Sequence, residues 1–244
     1  MGWIDQDQTL ETLKVLVLGD YGTGKSYFAS TFPEPIFLFD FDKGRIGYAG
    51  KRVYVPDYMI QETPPNQIFS QMEKDLDLLI KQEHPEGEFK TIVLDSLTTM
   101  MKEAMNMALQ KKPLPPDSPP VWNVHYPLVK VYVDRILDRM RRLNQNLIVI
   151  GHIEYQRNDI TGEIIASPSI TGNLKTYIPA IFDEVYFSDV IQTRDKKEYV
   201  LLTSPSGFKK ARSRLSSVVK LPDRIPNTFE AIASAIKSLN KAQN

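Results

Sequence analysis

Residues 14–32, KVLVLGDYGTGKSYFASTF, constrain the fold more than any other stretch of the chain. Lys14–Leu18 alternates as a strand does, Gly19 breaks it, and Ser26–Thr31 is helix-like until Pro33 stops it. Between strand and helix lies Gly19–Ser26, a complete G-x-x-x-x-G-K-[ST]. Glycines let such a loop curl so that successive backbone N–H groups form an anion nest at a helix N-terminus. The pattern predicts a phosphate cradle built from Gly19, Asp20, Tyr21, Gly22, Thr23, Gly24, Lys25, Ser26 and Tyr27. Lys25 would reach the β- and γ-phosphates, and the Ser26 hydroxyl would complete a Mg²⁺ shell. A chance glycine loop is the plain alternative, and the flanking strand and helix count against it. The expected ligand is a nucleoside triphosphate. The guanine-reading N-K-x-D is absent, which leans toward ATP.

At 244 residues the chain is expected to form a single domain over 1–244, with its core at about 13–220 and a C-terminal helix at about 227–240. It has no cysteine, which excludes a disulfide scaffold, a zinc ribbon and a thiol nucleophile, and His84, His125 and His152 are not at zinc spacing. No apolar run approaches the roughly twenty residues of a membrane helix. The start, MGWIDQDQTLE, is acidic and polar rather than a signal peptide, and Gln6 stands where a myristoylation motif wants Ser or Thr. A location in the cytoplasm, without membrane contact, is expected. Thirty basic residues balance thirty acidic ones, so the composition is not that of a dedicated basic nucleic-acid binder. Two local basic runs stand out, Arg135–Arg142 on a helix and Lys209–Arg214 late in the chain, and a solvated face is the default for both.

Strand-like runs alternate with helical ones, the pattern of a mostly parallel sheet covered on both faces. After the first strand come Ile36–Asp40, a short Arg52–Val55, Thr91–Asp95 and Asn146–Gly151. Helical periodicity links them at Ile68–Ile80, Leu97–Gln110 and 127–143. The proline-rich 111–120 reads as a surface excursion. Beyond Gly151 the residues suggest a β-hairpin turning near Asp159–Gly162, a short helix at 174–182, and an antiparallel pair from Glu184–Phe187 and Glu198–Thr203. Asn227 with Glu230 has the spacing of a capping box for a last helix bearing Phe229, Ile232, Ile236 and Leu239.

Turnover of a triphosphate needs a metal carboxylate and a group that orients water. Asp95 ends the apolar strand TIVLD at its carboxyl edge, where ligands bind in open α/β sheets, and is the expected partner of Ser26 in holding Mg²⁺. Position 96 is Ser, where many related ATPases carry the water-polarising Glu. Asp40 and Asp42 close the second strand, and either can serve the γ-phosphate or simply stabilise the turn before Gly44. His152 follows the strand NLIVIG, where its ring can sense a γ-phosphate or bond a water, or sit satisfied in the core. Glu154 is a weaker candidate of the same kind.

The P-loop, the order TIVLDS, GHIE, FDEVYF and the basic KKARSR together resemble the RecA-core nucleotide-binding proteins of bacteriophages and prophages, over roughly residues 13–220. The resemblance implies a RecA-like α/β fold with the strand that ends in Gly151–His152 lying between the P-loop and Walker-B strands. It also implies ATP hydrolysis with Mg²⁺ in a bacterial host cell, a homo-oligomer as ring or filament, and action on single-stranded DNA or beside a DNA-binding partner. In such oligomers a basic residue of one subunit completes the neighbour's site, for which Lys210, Arg212 and Arg214 are candidates, Arg212 foremost. The catalytic set expected is therefore Lys25, Asp42, Asp95, His152 and Arg212. Asp42 departs from the Glu usual in related proteins. Tyr155, Trp122 and Tyr126 could stack on bases or pack loops onto the core. Two other functions fit a P-loop: a small-molecule kinase, for which 111–120 is a poor lid, and a non-catalytic nucleotide-dependent scaffold.

Overall fold

Ile36–Asp40 and Thr91–Asp95 are buried at every position, as strands covered on both faces must be. They lie side by side, inside the edge strand, in one ten-stranded sheet in the computed structural model, which describes residues 12–157, 162–219 and 221–242. In chain order the strands are β1 (Lys14–Gly19), β2 (Ile36–Asp40), β3 (Val53–Tyr54), β4 (Thr91–Asp95) and β5 (Asn146–Arg157). There follow β6 (Ile164–Pro168), β7 (Glu184–Gln192), β8 (Lys197–Leu202), β9 (Arg212–Ser213) and β10 (Arg224–Pro226). The spatial order is β10-β8-β7-β1-β5-β4-β2-β3, with β6 on β5 and β9 on β7. From β7 to β3 the pairings are parallel, while β8, β9 and β10 run antiparallel to their neighbours. This is a RecA-like α/β fold with an antiparallel C-terminal extension, and β5 lies between the strands bearing the P-loop and Asp95.

Alternate residues of β1 feed two cores. Leu16 and Leu18 join the face covered by α3 (Pro65–Lys81), α4 (Leu97–Lys111), α5 (His125–Arg141) and α6 (Leu174–Ile181). Val15 and Val17 join the other face, packed by α1 (Lys25–Ser30) and α7 (Phe229–Ala242) through Phe28, Phe32 and Ile232. A four-residue helix, α2 (Asp57–Ile60), precedes α3. Helical covers on both faces explain why the strands are apolar throughout rather than alternating.

Three boundaries differ from the sequence expectation. β5 does not end at Gly151 but continues to Arg157, because β6 pairs with it from Ile153 onward and keeps its backbone bonded where its parallel neighbours stop. The expected turn of that hairpin falls largely on 158–161, outside the described residues. β7 likewise extends to Gln192 along β8. The capping box at Asn227 does not form. α7 begins at Phe229, Thr228 accepts from Ala231 N at 3.4 Å, and the Asn227 amide points instead to the P-loop. Leu239 lies outside the residues whose side chains are described.

Candidate active site

The P-loop sits where β1 leaves the sheet, and its glycines are there for space as well as conformation. A Cβ on Gly19 would come within 2.6 Å of the Ser188 carbonyl on β7 and 2.8 Å of Thr23 Oγ1. Gly24 has φ 88°, and a Cβ there would meet the Asn227 amide at 2.6 Å and the Tyr199 ring at 3.2 Å. The loop is tied from several directions. Ser188 Oγ donates to the Thr23 carbonyl at 2.6 Å, Thr23 Oγ1 to the Asp20 carbonyl at 2.8 Å, and Asn227 Nδ2 to the Gly24 carbonyl at 2.9 Å. Gly24→Ala is accordingly expected to cost about 1–2 kcal/mol from the left-handed backbone alone. The steric conflict adds to this, so a melting temperature lowered by several degrees and weaker nucleotide binding should be seen in a melt and a fluorescent-nucleotide titration.

A cavity of about 670 Å³ opens over the loop. Tyr21, Gly22, Gly24, Lys25, Ser26 and Tyr27 line one side, and Asp42, Asp95 and His152 one end. Tyr199 from β8 and Gly44, Ile46 and Gly47 complete it. Lys25 is 6% exposed and its ammonium donates to the carbonyls of Gly19 at 3.0 Å and Asp20 at 2.6 Å. Burial lowers its pKa, against the opposing pull of Asp95, Asp20 and Asp42.

Asp95 is placed by β4 opposite Ser26, whose hydroxyl donates to Asp95 Oδ2 at 2.7 Å. The hydroxyl of Tyr48, on a 3₁₀ turn at Arg45–Tyr48, donates to the same oxygen at 3.1 Å. Burial pushes the Asp95 carboxyl up and outweighs these two hydrogen bonds. A buried carboxylate beside a serine hydroxyl is a hard-oxygen donor pair that fits Mg²⁺, which keeps most of its waters and takes few protein ligands.

At the end of β2 the two acids part. Asp40, 2% exposed, accepts from Gly44 N at 3.0 Å and Arg45 Nε at 2.9 Å, so it closes the turn. Asp42 faces the cavity, accepting from Ser96 Oγ at 2.9 Å and lying 3.1 Å from His152 Nε2. Burial pushes its pKa up, but the hydrogen bonds from His152, Thr99 and Ser96 prevail and hold it at about 2. Glu154 is instead paired with Lys175.

The basic run is elsewhere. Arg212 donates to the carbonyls of Phe182 at 2.6 Å and Pro179 at 2.9 Å, at the C-terminal end of α6. Arg214 pairs with Asp183 at 2.6 Å and Lys210 with Glu163 at 3.3 Å, and none of the three lines the cavity of its own chain. Of the aromatic candidates, Tyr155 donates to Asp20 Oδ2 at 2.9 Å and meets Phe208 edge-on. Trp122, 67% exposed, stacks obliquely on Tyr126 with centroids 4.6 Å apart. Sequence reasoning missed Tyr48, Ser188, Tyr199 and Asn227. The last three are strung 165 to 203 positions from their P-loop partners, with no local pattern to mark them.

Known proteins agree with this arrangement at the level of family. No curated protein matches the chain. Among solved structures it is similar to a type III secretion system ATPase from pathogenic bacteria, at 12% identity and a TM-score of 0.48, over 92% of this chain and 62% of that one. It is also similar to the flagellar accessory protein FlaH of Methanocaldococcus jannaschii, at 9% identity and a TM-score of 0.42, over 87% and 83% of the two chains. A KaiC-like protein of Pyrococcus horikoshii OT3 gives 12% identity and a TM-score of 0.44 over 88% and 84%. The chain spans less than two thirds of the secretion ATPase's length. Residues 11–215 match a family model described as an AAA domain, taking in the P-loop, Asp95, His152 and the basic run alike, and the chain belongs to that family.

Proposed function

We propose that this protein hydrolyses ATP with Mg²⁺, in a site completed by a second copy of the chain, to drive an operation on single-stranded DNA such as phage-type recombination, annealing or replication. The observation that carries the ATPase reading is the convergence on one cavity of Lys25, Ser26 and Asp95 with the Asp42–His152 pair. Lys25 would move from the Gly19 and Asp20 carbonyls onto the β- and γ-phosphates, a short swing within the same loop. Ser26 and Asp95 would hold the metal, which when bound would supply neutralising charge to the phosphates. The P-loop backbone would orient the triphosphate, and the cavity's Asp42–His152 end would hold the attacking water.

Among the described residues Lys25 is the one Lys or Arg that lines the cavity, which favours a further positive charge arriving from outside. Arg212 is the first candidate, and it would have to exchange its carbonyl partners on α6 for a neighbour's phosphate. The DNA role rests on the resemblance of motif order alone. The test is ATP turnover with and without single-stranded DNA. Turnover stimulated by DNA is expected. Turnover that requires a small acceptor molecule would replace the reading with a kinase, and nucleotide binding without turnover would replace it with a scaffold. For the shared site, Arg212→Ala and Lys25→Ala proteins are mixed. Partial recovery of turnover is expected, whereas no recovery from a species that remains monomeric by light scattering would remove Arg212 from the neighbour's site.

A further inference from the structure

We infer that the water attacking the γ-phosphate gives its proton to His152, and that Asp42 serves to position the His152 ring. This rests on the ATPase reading above and divides the work within the same site.

The acids near the cavity are already engaged. Asp95 accepts from Ser26 and Tyr48, Asp40 from Gly44 N and Arg45, and Asp20 from Tyr155. Ser96, where a glutamate would be the obvious base, donates its hydroxyl to Asp42 Oδ1. Asp42 is thereby held from both sides, by Ser96 on one oxygen and by His152 Nε2 on the other. An ionised carboxylate can only accept, so Nε2 is the donor, and in the neutral ring Nδ1 then keeps its lone pair. No hydrogen bond from the described residues engages Nδ1. The strand backbone holds the ring's base on both sides, with His152 N donating to Thr98 Oγ1 at 3.1 Å and the His152 carbonyl accepting from Ser169 N at 2.8 Å. The side chain is 36% exposed and lines the cavity, so water reaches it. A base oriented by a third group is the arrangement that activates a weak nucleophile.

An imidazole is the side chain suited to accept a proton near neutrality. In the step, water oxygen forms a bond to the γ-phosphorus while the bond from that phosphorus to the β,γ-bridging oxygen breaks. The electron pair leaves with ADP, the water proton passes to Nδ1, and the imidazolium then returns it to solvent. The charged groups lining the cavity with the ring are Asp42 from the turn after β2, which touches it, Asp95 from β4 and Lys25 from α1. On β5 itself, Glu154 lies on the same strand face and is paired with Lys175 of α6.

The experiment is a pH profile of kcat for the full-length wild type, His152→Gln and Asp42→Asn, with Mg²⁺, ATP and single-stranded DNA, alongside the affinity of each for a fluorescent nucleotide. Wild-type turnover should fall on the acid side as the imidazole protonates. His152→Gln is expected to lower kcat by about 10²–10⁴-fold, to lose that acid limb and to keep its nucleotide affinity. Asp42→Asn should retain more turnover than His152→Gln and keep an acid limb, since the imidazole is still present. A His152→Gln protein that keeps the acid limb, or an Asp42→Asn protein more damaged than His152→Gln, would overturn the assignment and make Asp42 the base. Absence of wild-type turnover would overturn the ATPase reading itself, so the two failures are distinct. Loss of nucleotide affinity in His152→Gln would show a binding role and also defeat the inference.

Discussion

Lys25→Ala is expected to reduce ATP turnover by about 10²–10³-fold or more, the scale of losing one preorganised charge from a phosphoryl-transfer site. The ammonium lies within a single loop, bonded to the Gly19 and Asp20 carbonyls at 3.0 and 2.6 Å, and among the described residues no other Lys or Arg lines the cavity to replace it. Stability should change little. Burial disfavours the charged ammonium, so its loss removes a penalty that is present at pH below the folded-state pKa, while the Asp20 carbonyl keeps its bond from Thr23. Lys25→Met, which keeps most of the buried volume, should behave alike. A Lys25→Ala protein that melts as the wild type does and still turns over ATP at a comparable rate would sink the reading of this cavity as a hydrolytic site. Turnover and thermal melts on the same preparations decide it.

Asp95→Asn should separate function from stability more sharply. The amide still accepts from Ser26 and Tyr48 but cannot supply the negative charge that a divalent cation needs, so Mg²⁺-dependent turnover should fall by about 10²–10³-fold. The sign of the stability effect follows from the raised pKa. An acid whose folded value lies above its ordinary 3.8 costs no stability at pH below that ordinary value, and its cost grows as pH rises from there to the folded value and is full above it. Asn carries no such cost, so the variant should melt at or above the wild-type temperature at pH 7, with the difference shrinking toward pH 4. A variant that melts well below wild type at pH 7 would mean that Asp95 is held for structure rather than for a metal. Residues that lose activity when replaced and yet do not hold the fold together are those kept for chemistry.

Much of this site could be read before any fold was known, because its parts are local. A strand, a glycine loop and a lysine-serine pair are consecutive residues, and a buried strand that stops at an acid announces the carboxyl edge of a sheet. The strand ends of β1, β2 and β4 were legible for the same reason, since apolar runs bounded by Gly, Asp or Pro mark them. Hairpin lengths were less legible. β5 and β7 run on past their apolar segments because β6 and β8 supply partners, and pairing along a polar stretch leaves little hydrophobic signature. Asn227 shows the limit from another side. Its spacing from Glu230 fits a capping box, but the fold delivers it to Gly24, and the tertiary hydrogen bond displaces the local one.

From the residues alone came the strand–loop–helix shaped to cradle phosphate, the carboxylate that faces it, and the alternation that demands a doubly covered sheet. These follow from short-range chemistry and from periodicity, which need no knowledge of distant partners. Only the tertiary structure decided which acid serves the turn and which the cavity. Asp40 and Asp42 are two residues apart and chemically alike, yet Arg45 closes on one while Ser96 and His152, from the β4–α4 junction and β5, close on the other. The parallel register that brings positions 42, 96 and 152 together is a property of the whole sheet, and no stretch of sequence carries it.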